Sequence, residues 1–194
     1  NNFALRGSVS TGFRAPSLAQ VYFNQTFTNV QNGQIFDAVI ANNVDPITVA
    51  LGIPPLKEET AVTGSLGFTA GNGKGFTATV DGYYVKIKDR IVLTGQFDNS
   101  DPIIGPTLDA LNVTAAQFFT NAVNTTTIGL DVVLNYTLTL GNNDRLGFSF
   151  VSNINSMQVD EVNTTGLLEG KEDSYCGPRD SAFLVNSAPR SKFN

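Results

Sequence analysis

The sequence predicts an all-β fold made of antiparallel strands that are long enough to cross a membrane. Mostly apolar residues alternate with small or polar ones along several segments of about ten residues or more. The connections between them are alternately long and short. We therefore expect a partial transmembrane β-barrel of about six strands, with long extracellular loops that contain short helices.

The clearest strand covers residues 127–140. One set of alternate residues is wholly apolar, and the other is small or polar apart from Val133. Side chains of a strand alternate between its two faces, so this segment has one apolar and one polar face. The turn at residues 141–144 reverses the chain into a second strand, which begins at Arg145 and repeats the pattern. A transmembrane strand needs ~9–11 residues, whereas a soluble strand typically has ~5–6.

Further segments follow the same alternation. They cover residues 2–13, 60–70 and 76–93, and a further strand begins at residues 190–194. Pro16 ends the first segment, because proline cannot donate to a strand ladder. Within residues 76–93 the apolar parity changes, which predicts a β-bulge near Gly82.

Three long connections, at about residues 15–57, 97–119 and 159–188, are the predicted ligand-binding loops. The first shows no strand pattern, but Ser17 to Gln20 has the form of a capping box, which predicts a helical turn. Residues 45–52 begin with Asp-Pro and end with Gly, which predicts a helix over residues 47–51. A second capping box, at residues 114–117, predicts another helical start.

The long connections alternate with short turns at residues 71–75 and 141–144. Outer-membrane barrels have short periplasmic turns and long extracellular loops, so this order favours a membrane barrel. Two alternatives stay open. One is a secreted or surface β-sandwich that binds glycans or proteins, and the other is a passive outer-membrane porin.

The composition argues against several classes of function. Only 15% of the residues are charged, against ~25% in ordinary soluble domains, and no apolar run approaches the ~18 residues of a transmembrane helix. The net charge of −5 argues against a nucleic-acid partner.

The chain has no histidine, and Cys176 is its one cysteine, so we expect no enzyme, no cofactor and no metal site. We expect Cys176 to be a free thiol or to pair outside residues 1–194.

Several side chains are candidates for contacts in the lumen or with a ligand. Arg6, Asp81 and Asp131 are expected on the lumen face, either as contacts or as solvated lining. The aromatic residues in or beside the loops either stack on a ligand or pack the loops' own cores: Tyr22, Phe23, Phe36, Phe118 and Phe119.

Other residues have simpler interpretations. Asp98 and Asp101 suggest calcium, but their spacing lacks the full oxygen-ligand loop of a calcium motif. A solvated acidic loop is predicted at Glu169, Glu172 and Asp173. Aromatic girdles at the membrane boundaries are predicted to include Tyr83, Tyr84 and Tyr136, with Tyr136 at the periplasmic end.

Several stretches resemble the barrel of TonB-dependent outer-membrane receptors. Residues 10–18 (STGFRAPSL) resemble the family's strand that breaks at GFRAPS, and residues 56–60 (LKEET) resemble its LKPE re-entry, with Glu58 in place of proline. The other matching stretches are residues 83–91 (YYVKIKDRI), 119–122 (FTNA), 127–131 (TIGLD) and 188–192 (APRSK). The resemblance covers nearly every predicted strand, in the family's order.

The resemblance implies a 22-stranded barrel that is plugged by an N-terminal domain and takes up scarce ligands such as ferric siderophores. The implied partners are outer-membrane lipid, the TonB complex acting through the plug region, and a small-molecule ligand such as an iron chelate. Residues 1–194 begin within a strand and show no signal peptide. We therefore expect them to be part of a barrel domain whose plug and remaining strands lie elsewhere in a longer polypeptide.

Overall fold

The computed structural model describes residues 2–31, 34–141, 144–187 and 189–194. In chain order the strands are β1 (Asn2–Arg14), β2 (Gln25–Gln31), β3 (Gln34–Ala41), β4 (Glu59–Gly71), β5 (Phe76–Leu93), β6 (Phe97–Asp98), β7 (Ala115–Thr139), β8 (Arg145–Val162) and β9 (Ser191–Phe193). The helices are α1 (Leu18–Tyr22), α2 (Pro46–Ala50), α3 (Gly105–Ala110), a 3-10 turn (Gly166–Leu168), α4 (Glu172–Tyr175) and α5 (Pro178–Asn186).

Six of these strands form one antiparallel sheet in the order β1-β4-β5-β7-β8-β9. The strand β7 has 25 residues, and β5 and β8 have 18 each, so they exceed the ~9–11 residues that span a bilayer. This confirms the predicted class and the number of barrel-type strands. Within the described residues the sheet is not closed, because β1 pairs on one edge alone.

One face of this sheet is largely apolar, and we call it the outer face. Large apolar side chains point out along every long strand, and Val9 on β1 is 84% exposed while Leu66 on β4 is 64% exposed. At the end with the short turns, an aromatic row formed by Phe76, Tyr136 and Phe148 lies in cross-strand register. A soluble sandwich would cover such a face, whereas a lipid bilayer solvates it.

The predicted bulge near Gly82 is wrong. The register of β5 with both neighbours runs unbroken through Gly82, and the irregularity lies between Ile87 and Ile91, where Asp89 has φ of 57°. The apolar parity changes for another reason: Tyr83 lies on the opposite, inner face. The outward positions beyond Tyr84 are lysines.

Two predictions about the long connections are also wrong. Residues 15–57 contain the hairpin β2–β3, although the sequence shows no strand pattern there. The capping box at residues 114–117 starts no helix, because β7 begins at Ala115 and pairs with β3 and β6. Every second residue from Ala116 to Ala122 is buried, and this period of two is that of a strand with one buried face.

Other local predictions are confirmed. Ser17 caps α1 through a capping box with Gln20, and Asp45 caps α2 by accepting from the backbone N–H of Ile47 at 2.9 Å. The turn predicted at residues 141–144 includes positions 142 and 143, which lie outside the described residues. In the described ranges, no helix is both long and apolar enough to cross a membrane.

Candidate functional site

Polar side chains line the inner face of the large sheet, opposite the apolar outer face. Cross-strand register places five of them, together with Gly67, in one row at the same level: Arg6, Gly67, Asp81, Asp131, Asn153 and Lys192. The three residues predicted to face the lumen, Arg6, Asp81 and Asp131, all lie in this row. The row crosses all six strands.

Arg6 and Asp81 form the charged contact of this row. The Arg6 Nε donates to the Asp81 Oδ1 at 2.8 Å, and the guanidinium makes a second bond to the other carboxylate oxygen. The intervening strand contributes Gly67, where a Cβ would stand 1.9 Å from Asp81 Oδ1. Glycine therefore leaves the space through which Arg6 reaches Asp81.

Asp131 belongs to a separate polar network. It accepts from the Asn153 amide at 2.5 Å, and the Asn153 Oδ1 accepts from Asn155 at 2.9 Å. The Tyr83 ring lies against Gly129, where a Cβ would stand 2.2 Å from its Cζ. The Tyr83 hydroxyl is 3.4 Å from the Asn153 Nδ2. A tyrosine, a carboxylate and two amides thus form a hydrogen-bonding surface on the inner face.

A second ion pair lies at the end of the sheet where the long connections begin. Arg14 makes two bonds to Glu59, from Nε at 2.9 Å and from Nη2 at 2.5 Å. Glu59 is buried and also accepts from the backbone N–H of Ile91 at 2.8 Å. This carboxylate joins β1, β4 and the irregular part of β5, and both charged residues come from the motifs that resemble the receptor family.

The long connections pack on one another around a hydrophobic core. We call the described residues of 15–57, 94–123 and 163–187 the outer unit. The Phe97 and Phe118 rings stack at 5.4 Å between centroids, and the Tyr175 ring meets both edge-on, at 5.9 and 6.2 Å. All three side chains are buried, and the Tyr175 hydroxyl lies 3.3 Å from the backbone N and O of Thr165.

Polar contacts tie the three connections of the outer unit together. Lys171 pairs with Asp101, which also accepts from the backbone N–H of Ile103 at 2.9 Å. The Lys171 ammonium, followed by this N–H, holds the pKa of the Asp101 carboxyl below its usual range. The backbone N–H of Leu167 donates to Leu51 O at 3.3 Å, which links the third connection to the first.

Asn121 anchors the outer unit to the sheet. Its Nδ2 donates to Lys57 O at 2.9 Å and to Asp89 O at 2.7 Å, while its Oδ1 accepts from the Lys57 N–H at 2.9 Å. One amide thus joins the start of β4, the irregular part of β5 and β7. No local sequence pattern predicts these contacts of Asn121, although the residue lies in the FTNA stretch of the resemblance.

The predicted loop aromatics separate into two groups. Phe118 is fully buried in the outer unit, whereas Tyr22 and Phe23 are 68% and 40% exposed. Phe119 is half-buried, and the side chain of Phe36 lies outside the described residues. Phe118 is therefore a core residue, whereas Tyr22 and Phe23 are surface residues.

The girdle prediction is wrong for Tyr83, whereas the acidic loop is exposed as predicted. Tyr84 and Tyr136 lie on the outer face, but Tyr83 does not, because it occupies the opposite parity of β5. An exposed acidic segment contains Glu169, Glu172 and Asp173, as expected for a solvated loop.

The suspected calcium residues are engaged in local contacts. Asp98 accepts from the Ser100 backbone N–H at 2.9 Å, and Asp101 pairs with Lys171. Over the part of the chain that the structure describes, no group of three or more His, Cys, Asp or Glu side chains has metal-binding geometry. Cys176 is buried, and its Sγ lies 3.4 Å from the Ser181 Oγ.

Comparison with known proteins agrees with this architecture. The family model described as TonB dependent receptor-like, beta-barrel matches residues 1–194. Among solved structures, the chain is similar to one of the RagAB peptide importer in the closed-closed state, with a TM-score of 0.51 and 18% identity. The match covers 84% of this chain and 16% of the importer chain, so it shows a shared fold over a small part of that protein. No curated protein matches the chain.

Proposed function

Because the chain belongs to the family of TonB-dependent receptor-like β-barrels, which are outer-membrane proteins of Gram-negative bacteria, we propose that it is part of an active importer. Residues 1–194 supply six strands of the barrel, and the plug and the other strands lie elsewhere in the polypeptide. The TonB complex supplies the energy for uptake, through the plug.

The observation that carries this proposal is the position of the outer unit. All three long connections lie at the end of the sheet opposite the short turns, and they pack into one body on shared buried aromatics. The sheet below presents an apolar face on one side and a polar row on the other. This arrangement fits a barrel that holds a ligand-recognition surface outside the cell and a hydrated wall inside.

Two ligand classes are candidates. The family resemblance implies a ferric siderophore, and the similarity to a peptide importer supports a peptide. The exposed aromatic side chains of Tyr22 and Phe23 suit either class, because both catecholate rings and aromatic peptide side chains stack on aromatic faces.

Uptake by cells that express the intact receptor tests the proposal. The probes are a radiolabelled ferric catecholate siderophore and a labelled oligopeptide mixture, each offered to cells with and without TonB. We expect one of them to accumulate only when TonB is present. Equal accumulation in both strains, together with ion conductance after reconstitution, would instead support the passive porin.

A further inference from the structure

Two lysines on β5 continue the lipid-facing side of the strand beyond its apolar part. The outward positions of β5 are Phe76, Ala78, Val80, Gly82, Tyr84, Lys86 and Lys88. Cross-strand register shows that these positions face outward. Lys86 pairs with Val62 and Tyr84 pairs with Ile128, and the partners Val62 and Ile128 are exposed on the outer face. The lysines therefore emerge on the membrane side of the barrel wall.

Their height places them at the boundary of the bilayer. The step from Phe76 to Tyr84 covers eight residues, or about 20 Å along the barrel axis at ~3.3 Å per residue and ~40° of tilt. The apolar band of such barrels is about 25 Å tall, so Lys86 lies near its upper edge and Lys88 just above it. That zone is where lipid headgroups lie.

In the ranges that the structure describes, neither Lys86 nor Lys88 forms an ion pair. Among the carboxylates near this level, Asp89 pairs with Lys57 at 3.0 Å, Glu161 accepts from the Asn124 amide at 2.8 Å, and Glu58 is exposed just before β4. Asp160, two strands away on β8, accepts from the Thr126 hydroxyl at 2.6 Å.

We propose that Lys86 and Lys88 form a clamp for the phosphate of a lipid headgroup in the outer leaflet. Residues two apart on one face of a strand are about 6.6 Å apart, and flexible lysine side chains from that spacing converge on a single phosphate. The acyl chains of the same lipid lie along the apolar outer face below Tyr84. A free phosphate ion gains nothing from that face, so the site takes a phosphorylated lipid.

The test is a lipid titration of the purified full-length receptor in detergent, followed by native mass spectrometry. The probes are phosphatidic acid, diacylglycerol, which lacks only the phosphate, and inorganic phosphate. We expect phosphatidic acid to bind most tightly. A lysine near anionic lipid contributes about 1 kcal/mol, or about fivefold in affinity, so Lys86→Gln combined with Lys88→Gln lowers the affinity by about 30-fold.

Two further variants control for charge and folding. Lys192→Gln removes the same charge from the inner face and leaves binding unchanged, whereas Lys86→Arg with Lys88→Arg retains it. Three results would each overturn the proposal: unchanged binding by the double glutamine variant, loss of binding in the double arginine variant, or equal affinity for inorganic phosphate and phosphatidic acid.

Discussion

Arg6 and Asp81 meet across Gly67, although they lie on β1 and β5 with β4 between them. The contact depends on the missing side chain at Gly67, because a Cβ there would stand 1.9 Å from Asp81 Oδ1 and 2.8 Å from Val80 O. The ion pair thereby links β1 to β5, two strands that share no backbone hydrogen bonds because β4 lies between them.

Gly67→Ala should break this contact. The added methyl group displaces the Asp81 carboxylate, and the close backbone oxygen of Val80 prevents a simple rearrangement. We expect the thermal midpoint of the receptor to fall by a few degrees, as measured by circular dichroism in detergent. Gly12→Ala is the matched control, since no atom lies within 4 Å of a Cβ there. Equal midpoints for the two variants would contradict this account.

Gly129→Ala should displace the Tyr83 ring. The new Cβ would stand 2.2 Å from the Tyr83 Cζ, and a ring cannot bend aside as a flexible side chain does. Overpacking of this kind costs about 1–3 kcal/mol of unfolding free energy. Adding Tyr83→Ala should recover most of that loss, which a double-mutant cycle in urea measures. If the two effects simply add, the packing of Tyr83 over Gly129 is not the cause.

Tyr175→Ala should loosen the outer unit and leave the membrane strands in place. Tyr175 is fully buried against Phe97 and Phe118, and removal of a buried aromatic ring costs about 3–5 kcal/mol. Limited proteolysis of the receptor should cut within residues 163–187 much faster. Tyr175→Phe should cost only about 0.5–1.5 kcal/mol, because it loses the hydroxyl contacts alone. Phe183→Ala, at a 67% exposed position, should match the wild type.

Acid should weaken the outer unit through Asp101. The pKa of this carboxyl is lower in the folded protein than its unfolded value of about 3.9, chiefly because Lys171 donates to it. The stabilisation is therefore fully present above about pH 4 and is lost as the pH falls through the folded pKa. Proteolysis of residues 163–187 should accelerate below about pH 4. Asp101→Asn should remove this acid-dependent part of the acceleration, and an unchanged pH profile in that variant would exclude the role of Asp101.

Much of the sheet could be predicted from the sequence. Lipid on one side and a polar lumen on the other require apolar and polar residues to alternate along each strand with a period of two. The strand at residues 127–140 shows that period, and the structure confirms it. The helix caps at Ser17 and Asp45 were also predictable, since each depends on residues within a few positions. The family membership confirms the resemblance drawn from short motifs.

The errors occur where distant residues determine the structure. The hairpin β2–β3 and the outer part of β7 are stabilised by pairing with each other and by the core around Phe118, which a local pattern does not reveal. The same holds for Asn121 and Tyr175, whose partners lie far away in sequence. The inward position of Tyr83 is not visible in the sequence, because its ring packs over Gly129 and glycine contributes no apolar side chain to the pattern.

A spin-label scan of β7 tests most directly whether this chain is a section of barrel wall, with lipid on one side and a lumen on the other. Single cysteines at residues 130–135 are labelled in the receptor carrying Cys176→Ser and reconstituted in bilayers. We predict oxygen accessibility to peak at residues 130, 132 and 134, and accessibility to a water-soluble nickel chelate to peak at residues 131, 133 and 135. Uniform accessibility, or the opposite parity, would contradict the account.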